Sequence, residues 1–121
     1  KRVWRGGDRS QAGLQQSFYE LRNEVDTVVQ SMNTLKEQGR QDEYYAYKEN
    51  MRGVLSVKSR VRGLERWMKK WRKRRDKLLR RTDINPSVKA ELLEQMEAQR
   101  DRKLAIVPSL RDKADVPLFR I

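Results

Sequence analysis

The sequence predicts an all-α fold: an antiparallel helical hairpin joined by a third helix, with extended arms at both ends. Three observations carry that prediction. Val57, Val61, Leu64, Met68, Trp71, Arg75 and Leu78 follow one another at alternating spacings of 4 and 3 residues, the period of a helix packed along another helix in the manner of a coiled coil. Leu14, Phe18, Leu21, Val25, Val28, Val29, Met32 and Leu35 form a second stripe on one helical face. Only 36% of the residues are hydrophobic while 38% are charged, which suits the narrow stripes of a thin bundle better than a large globular core.

The same composition narrows the function classes. A chain of 121 residues is one domain or part of one. It has no Cys and no His, which removes thiol nucleophiles, disulfides and the commonest metal ligands. No apolar run reaches the about 18 residues that a membrane-spanning helix needs, and no secretory signal pattern is present. The first residue is Lys rather than Met, so the expectation is an ordered segment of a longer polypeptide.

Residues 1–13 (KRVWRGGDRSQAG) hold three Gly and no apolar period and are expected to be a flexible arm that orders against a partner. Trp4 has two readings there: a ring folded back on the bundle, or an anchor in a partner pocket, where Trp is over-represented. The first helix is expected over Leu14–Gln38, ended by Gly39 at the C′ position. Its Glu20, Glu24, Asp26 and Glu37 make it a mildly acidic antiparallel neighbour for the basic helix downstream. Asp42 is the expected N-cap of a short helix in Arg40–Asn50, whose Tyr44, Tyr45 and Tyr47 read as core edge and surface or, alternatively, as a base-stacking platform.

Met51–Arg81 is expected to be one long helix, with Asn50 or Gly53 as sites of a kink. At about 31 residues it would span roughly 46 Å. Tyr47 and Val54 extend its seam backward. Gly53 and Gly63 each cost about 1 kcal/mol relative to Ala in a helix; they are either tolerated flaws or places where another backbone comes close. Asn85 as N-cap and Pro86 as N1 start the third helix, expected over Val88–Val107 with the patchier stripe Leu92, Leu93, Met96, Leu104 and Val107. Arg100 and Lys103 interrupt that stripe, so its far end is expected to pack loosely, and Pro108 to end it. Residues 108–121 are expected to be an extended tail whose Leu118, Phe119 and Ile121 dock on the bundle or on a partner. The domain plan is thus a flexible arm (1–13), a helical bundle (14–107) and a tail (108–121). Leu64, Met68, Trp71 and Leu78 are expected to be buried against Phe18, Leu21, Val25 and Val28, a core thin enough to favour oligomerisation.

No catalytic constellation stands out. HExxH, GxSxG, phosphate-loop and GxGxxG elements are all missing, and Glu91, Glu94 and Glu97 read as a solvated helix face. The expectation is a non-enzymatic protein without a cofactor or metal. The informative feature is charge. Between Lys58 and Arg81 stand 13 Lys and Arg against Glu65 and Asp76, a net +11 out of the chain's +12. The candidate binding residues are Lys58, Arg60, Arg62, Arg66, Lys69, Lys70, Arg72, Lys73, Arg74, Lys77, Arg80 and Arg81. Three partners fit such a wall: nucleic acid, by neutralisation of phosphates; acidic protein subunits; and, as a lesser alternative, an anionic membrane surface. Trp71 falls on the seam and reads as core; Trp67 lies beside it, half exposed, with Lys70 or Arg74 as cation–π partners.

The order of these pieces also resembles a known module. The run Phe18-Tyr19-Glu20-Leu21, the Gly39-Arg40 turn, Glu49-Asn50, the long helix with LERWMKKWRKRRDKLL, and the Asn85-Pro86 start with Lys89 behind it resemble a helical module. It recurs near the C-terminus of large polyvalent proteins and of the internal virion (ejection) proteins of short-tailed phages. The similarity covers about Phe18–Val107. The charge density of the middle helix is higher than that module leads one to expect. The resemblance implies a structural virion part, held inside the capsid near the portal or in the tail channel and later in the host envelope. It would contact portal or tail proteins and genomic DNA during ejection, with homo-oligomers around a channel as a further implication. The alternative is a non-specific nucleic-acid-binding helical module of a larger polypeptide.

Overall fold

The structure is a computed structural model and describes residues 13–114. These residues fold into α-helices without a strand among them: α1 (Leu14–Glu37), α2 (Gln41–Asn50), α3 (Arg52–Ser56), α4 (Lys58–Arg80), α5 (Pro86–Leu104) and α6 (Val107–Ala114). The all-α prediction is met. Residues 1–12 and 115–121 lie outside the described residues, and with them the expectations for Trp4, Leu118, Phe119 and Ile121.

Helix α1 ends as its sequence dictates. Gly39 has a φ of 70°, which glycine adopts without a Cβ penalty. Its N–H donates to the Lys36 carbonyl at 3.1 Å, and the Arg40 N–H donates to the Leu35 carbonyl at 3.0 Å. This is the Schellman pattern, and it satisfies carbonyls that a helix end otherwise leaves unpaired. Asp42 is not the N-cap of α2. Arg40 takes that position without a side-chain cap, and Asp42 falls in the first turn, where its charge still favours the helix N-terminus.

The expected helix over Met51–Arg81 is broken once inside, at Val57, and its join to α2 bends at Met51, beside the expected kink site Asn50. Met51 and Val57 both sit at φ −102°, with ψ of 18° and 2°. The hydrogen-bond ladder largely survives: Met51 donates to the Tyr47 carbonyl and Leu55 to the Met51 carbonyl. The turn instead tightens locally, where Val57 N–H reaches the Val54 carbonyl at 3.2 Å and Ser56 Oγ donates to the Gly53 carbonyl at 2.6 Å. Between the two bends the packing is close. A Cβ at Gly53 would lie 2.6 Å from the Ala114 carbonyl oxygen, so α3 must turn its glycine flat against α6. Val54, Val57 and Val61, which step by 3 and 4 along one face, all stay in the core through the bend. Gly53 is therefore a close-approach glycine, whereas Gly63 has no backbone against it.

Two antiparallel limbs result. Gly53 faces Ala114, Trp67 lies beneath Lys103, and the Trp71 indole N–H donates to the Met96 carbonyl at 2.8 Å. So α3–α4 runs down while α5–α6 runs up. Helix α1 lies against this pair and touches α3, α4, α5 and α6. Opposite charges fix its register on α4: Arg22 pairs with Glu65 at 2.9 Å and Asp26 with Arg62 at 2.5 Å. Phe18, Leu21, Val25 and Val28 are buried with Val57, Val61, Leu64 and Met68, as the two stripes predict.

Three other expectations change. Leu78 is only half-buried, because α1 does not extend over it. The far end of α5 is tight rather than loose: Leu104 and Val107 are fully buried, and so nearly is Arg100. Residues 107–114 form α6 rather than an extended tail, with Leu110 and Ala114 in the core. Pro108 does not end a structure there; it sits in the first turn of α6, where the missing N–H has no helical partner to lose.

Candidate nucleic-acid interface

The seam of α4 is continued by its mirror. The buried residues Val57, Val61, Leu64, Met68 and Trp71 step by 4, 3, 4 and 3. Arg66, Lys70, Lys73, Lys77 and Arg80 step by the same 4, 3, 4 and 3, nine residues later. At about 3.6 residues per turn, nine residues are two and a half turns, so this second row lies on the opposite side of the helix. All five of its members are exposed. Lys69 and Arg74 flank the row and are exposed as well, as are Lys58 and Arg60 at the start of the helix. Among the described residues none of these side chains forms an ion pair. Arg66 to Arg80 covers about 21 Å of helix axis at about 1.5 Å per residue. Duplex DNA carries about 12 phosphate charges over that length. Because α4 itself has 23 residues, it spans about 35 Å, less than the unbroken helix expected.

The other basic residues of α4, and Arg81 just beyond it, have partners within the fold. Arg62 is half-buried and reaches Asp26 at 2.5 Å and Glu65 at 3.6 Å. Arg72 donates to the Tyr19 hydroxyl. Arg75 lies 5.2 Å from the Trp71 ring centroid, with Asp76 beside it at 3.1 Å. Arg81 is exposed but paired with Asp83 at 2.7 Å. A hydrogen bond from Arg81 holds the Asp83 carboxyl below its usual range and raises the guanidinium in turn. The Arg22–Glu65 hydrogen bond likewise raises Arg22. Of the twelve predicted residues, then, nine are free of such partners among the described residues, Arg62 and Arg72 reach side chains of α1, and Arg81 pairs with Asp83 at the surface.

The aromatic residues are arranged differently from the expectation. Trp71 is core, but its ring is flanked by Arg75 and by the buried Arg100 of α5, each 5.2 Å from the centroid. Trp67 takes Lys103 of α5 over its ring at 5.8 Å, not Lys70 or Arg74. Arg102 and Lys103 are thereby brought beside α4; both are exposed. Nothing in the local sequence of α5 announces this, because it depends on which turn of α5 meets Trp67. The tyrosines of α2 are edge and surface: Tyr47 packs on the core, and Tyr45 is exposed and set edge-on to Tyr44.

The ridge can neutralise a row of phosphates or carboxylates. Among the described residues no three His, Cys, Asp or Glu side chains gather to hold a metal ion, and no helix is long and apolar enough to cross a membrane. Comparisons of the chain with protein-family models, with curated proteins and with solved structures gave no match.

Proposed function

We propose that this chain is a non-enzymatic helical module that binds nucleic acid without sequence preference, through the outer ridge of α4. One observation carries the reading: five cations at seam-like spacing stand opposite the buried seam, exposed and without carboxylate partners. Cations arranged only for solubility need no such phase. A rigid helix that holds its charges in a line contacts successive phosphates and releases their counterions. The resemblance over Phe18–Val107 suggests the setting: a segment of a phage internal virion protein, docked at the portal or tail channel and touching genomic DNA as it is ejected.

The test is DNA affinity across a salt series, for the chain and for Lys70→Gln/Lys73→Gln/Lys77→Gln. The unaltered chain is expected to show a steep linear fall of log K with log salt. Each lost phosphate contact removes about 0.9 from that slope, so the triple variant should flatten it by about 2–3. A slope unchanged by the triple variant would refute the ridge as the phosphate surface and favour an acidic protein wall.

A further inference from the structure

On the flank of α4 turned away from α1, a groove of about 410 Å³ runs between α4 and the α5–α6 limb. Its lining includes Arg60, Gly63, Trp67, Arg102, Lys103 and Ile106. Its size falls within the about 300–1,000 Å³ of ordinary ligand sites. The floor is apolar and partly aromatic, with the half-buried Trp67 and the exposed Ile106. The rim is cationic, and no carboxylate lines it.

Gly63 gives the groove its shape. Helical side chains lean toward the N-terminus, so the Trp67 ring leans toward the turn that holds Gly63, and a side chain at position 63 would stand in the same groove wall. At Gly63 there is no side chain, and a Cβ there would meet only the tip of Arg66, at 3.9 Å. Packing does not require this glycine, unlike Gly53. Glycine is a poor helix former at such a position, and the result is a bare patch in the groove wall. Along the same flank Arg60, Gly63, Trp67, Lys70 and Arg74 step by 3, 4, 3 and 4. The groove is therefore continuous with the ridge.

We infer that this groove takes an unpaired nucleobase, stacked on Trp67, while Arg60, Arg102 and Lys103 hold the flanking phosphates; the module thus prefers single-stranded nucleic acid to duplex. The inference rests on the proposed phosphate binding by the ridge and adds a second contact to it. Base–aromatic stacking tolerates any sequence, because every base has a π-face, in keeping with a non-specific binder. In the bound state the Lys103 ammonium leaves the ring for a phosphate, and the base replaces it.

The experiment compares a short oligothymidylate with a duplex of equal length, at one salt concentration, by affinity and by tryptophan fluorescence. The single strand is expected to bind more tightly and to quench fluorescence. Trp67→Ala should cost about 5- to 150-fold in single-strand affinity and leave duplex affinity unchanged. Gly63→Leu should fill the groove and abolish the preference while keeping or raising the melting temperature, which separates a blocked site from a damaged fold. Equal affinities for the two nucleic acids would overturn the inference alone, provided that the duplex retains its steep salt slope. A preference that survives Gly63→Leu, or quenching by an acidic apolar peptide but not by oligothymidylate, would overturn it as well. Binding of neither nucleic acid would end both readings.

Discussion

The two ends of the bundle differ in how they are closed. At one end Val54, Val57, Val61, Val107, Leu110 and Ala114 are all buried, and the backbones of α3 and α6 touch at Gly53. At the other, where α4 hands over to α5, Leu79, Val88 and Leu92 stand exposed at 49%, 46% and 37%. There the turn is held by polar contacts. Asn85 caps α5 by accepting from the Ser87 N–H at 2.7 Å. Lys89 Nζ donates to the Leu79 carbonyl at 3.1 Å and to the Arg81 carbonyl, closing the end of α4. Burial of apolar side chains is worth far more than such exposed contacts. The closed end should therefore set the stability of the whole, and the open end should tolerate change.

Substitutions can break or sharpen that contrast. The largest effect is expected at Trp71→Ala, in the middle of the bundle, at about 3–5 kcal/mol for a lost buried aromatic. An unchanged melting temperature would show that the α4–α5 pairing contributes little. Gly53→Ala at the closed end should cost about 1–3 kcal/mol, because the new methyl meets the Ala114 carbonyl; thermal melting would read it as a drop of several degrees. At the open end the surface change Leu92→Ser should stay within about 0.5 kcal/mol, and a larger loss would mean that this end is covered in the folded protein in solution. Smallest of all is Asp83→Asn. The Asp83 carboxyl is held below its usual range by Arg81, so whatever it contributes is present above the unfolded-state value and fades as pH falls through the folded one. Denaturation of the two proteins at neutral and at strongly acidic pH should show a difference only at neutral pH.

Much of this fold can be read from the sequence, and the parts that cannot share a cause. The seam of α4, the stripe of α1, the Gly39 stop and the Asn85-Pro86 start are local patterns, and local physics decides them. A bend near Met51 was legible from Asn50 and Gly53, but the role of Gly53 was not, because it depends on Ala114, 61 residues later in the chain. Helix α6 itself was obscured by Pro108, which reads as a terminator unless the neighbouring helix is known to have ended first. Arg100 reads as a polar interruption of an apolar stripe, but its guanidinium lies on Trp71, a partner no periodicity reveals. At the candidate site the total charge of α4 was plain, yet its division was not: Arg62 and Arg72 look like their neighbours until Asp26 and Tyr19 are placed beside them. The phase of the remaining cations was legible in principle, as a second 4-3-4-3 row. The contribution of Arg102 and Lys103 was not.

That shared phase restricts how the protein can change. Each added residue turns everything beyond it by about 100° around the helix. One insertion after Lys69 would swing the downstream part of the ridge off its line and pull Trp71 out from under α5 in the same stroke. An insertion of seven, two turns, would return both rows close to register. Substitutions can tune charge and packing separately in α4, but insertions and deletions cannot, so its length should drift only in whole heptads.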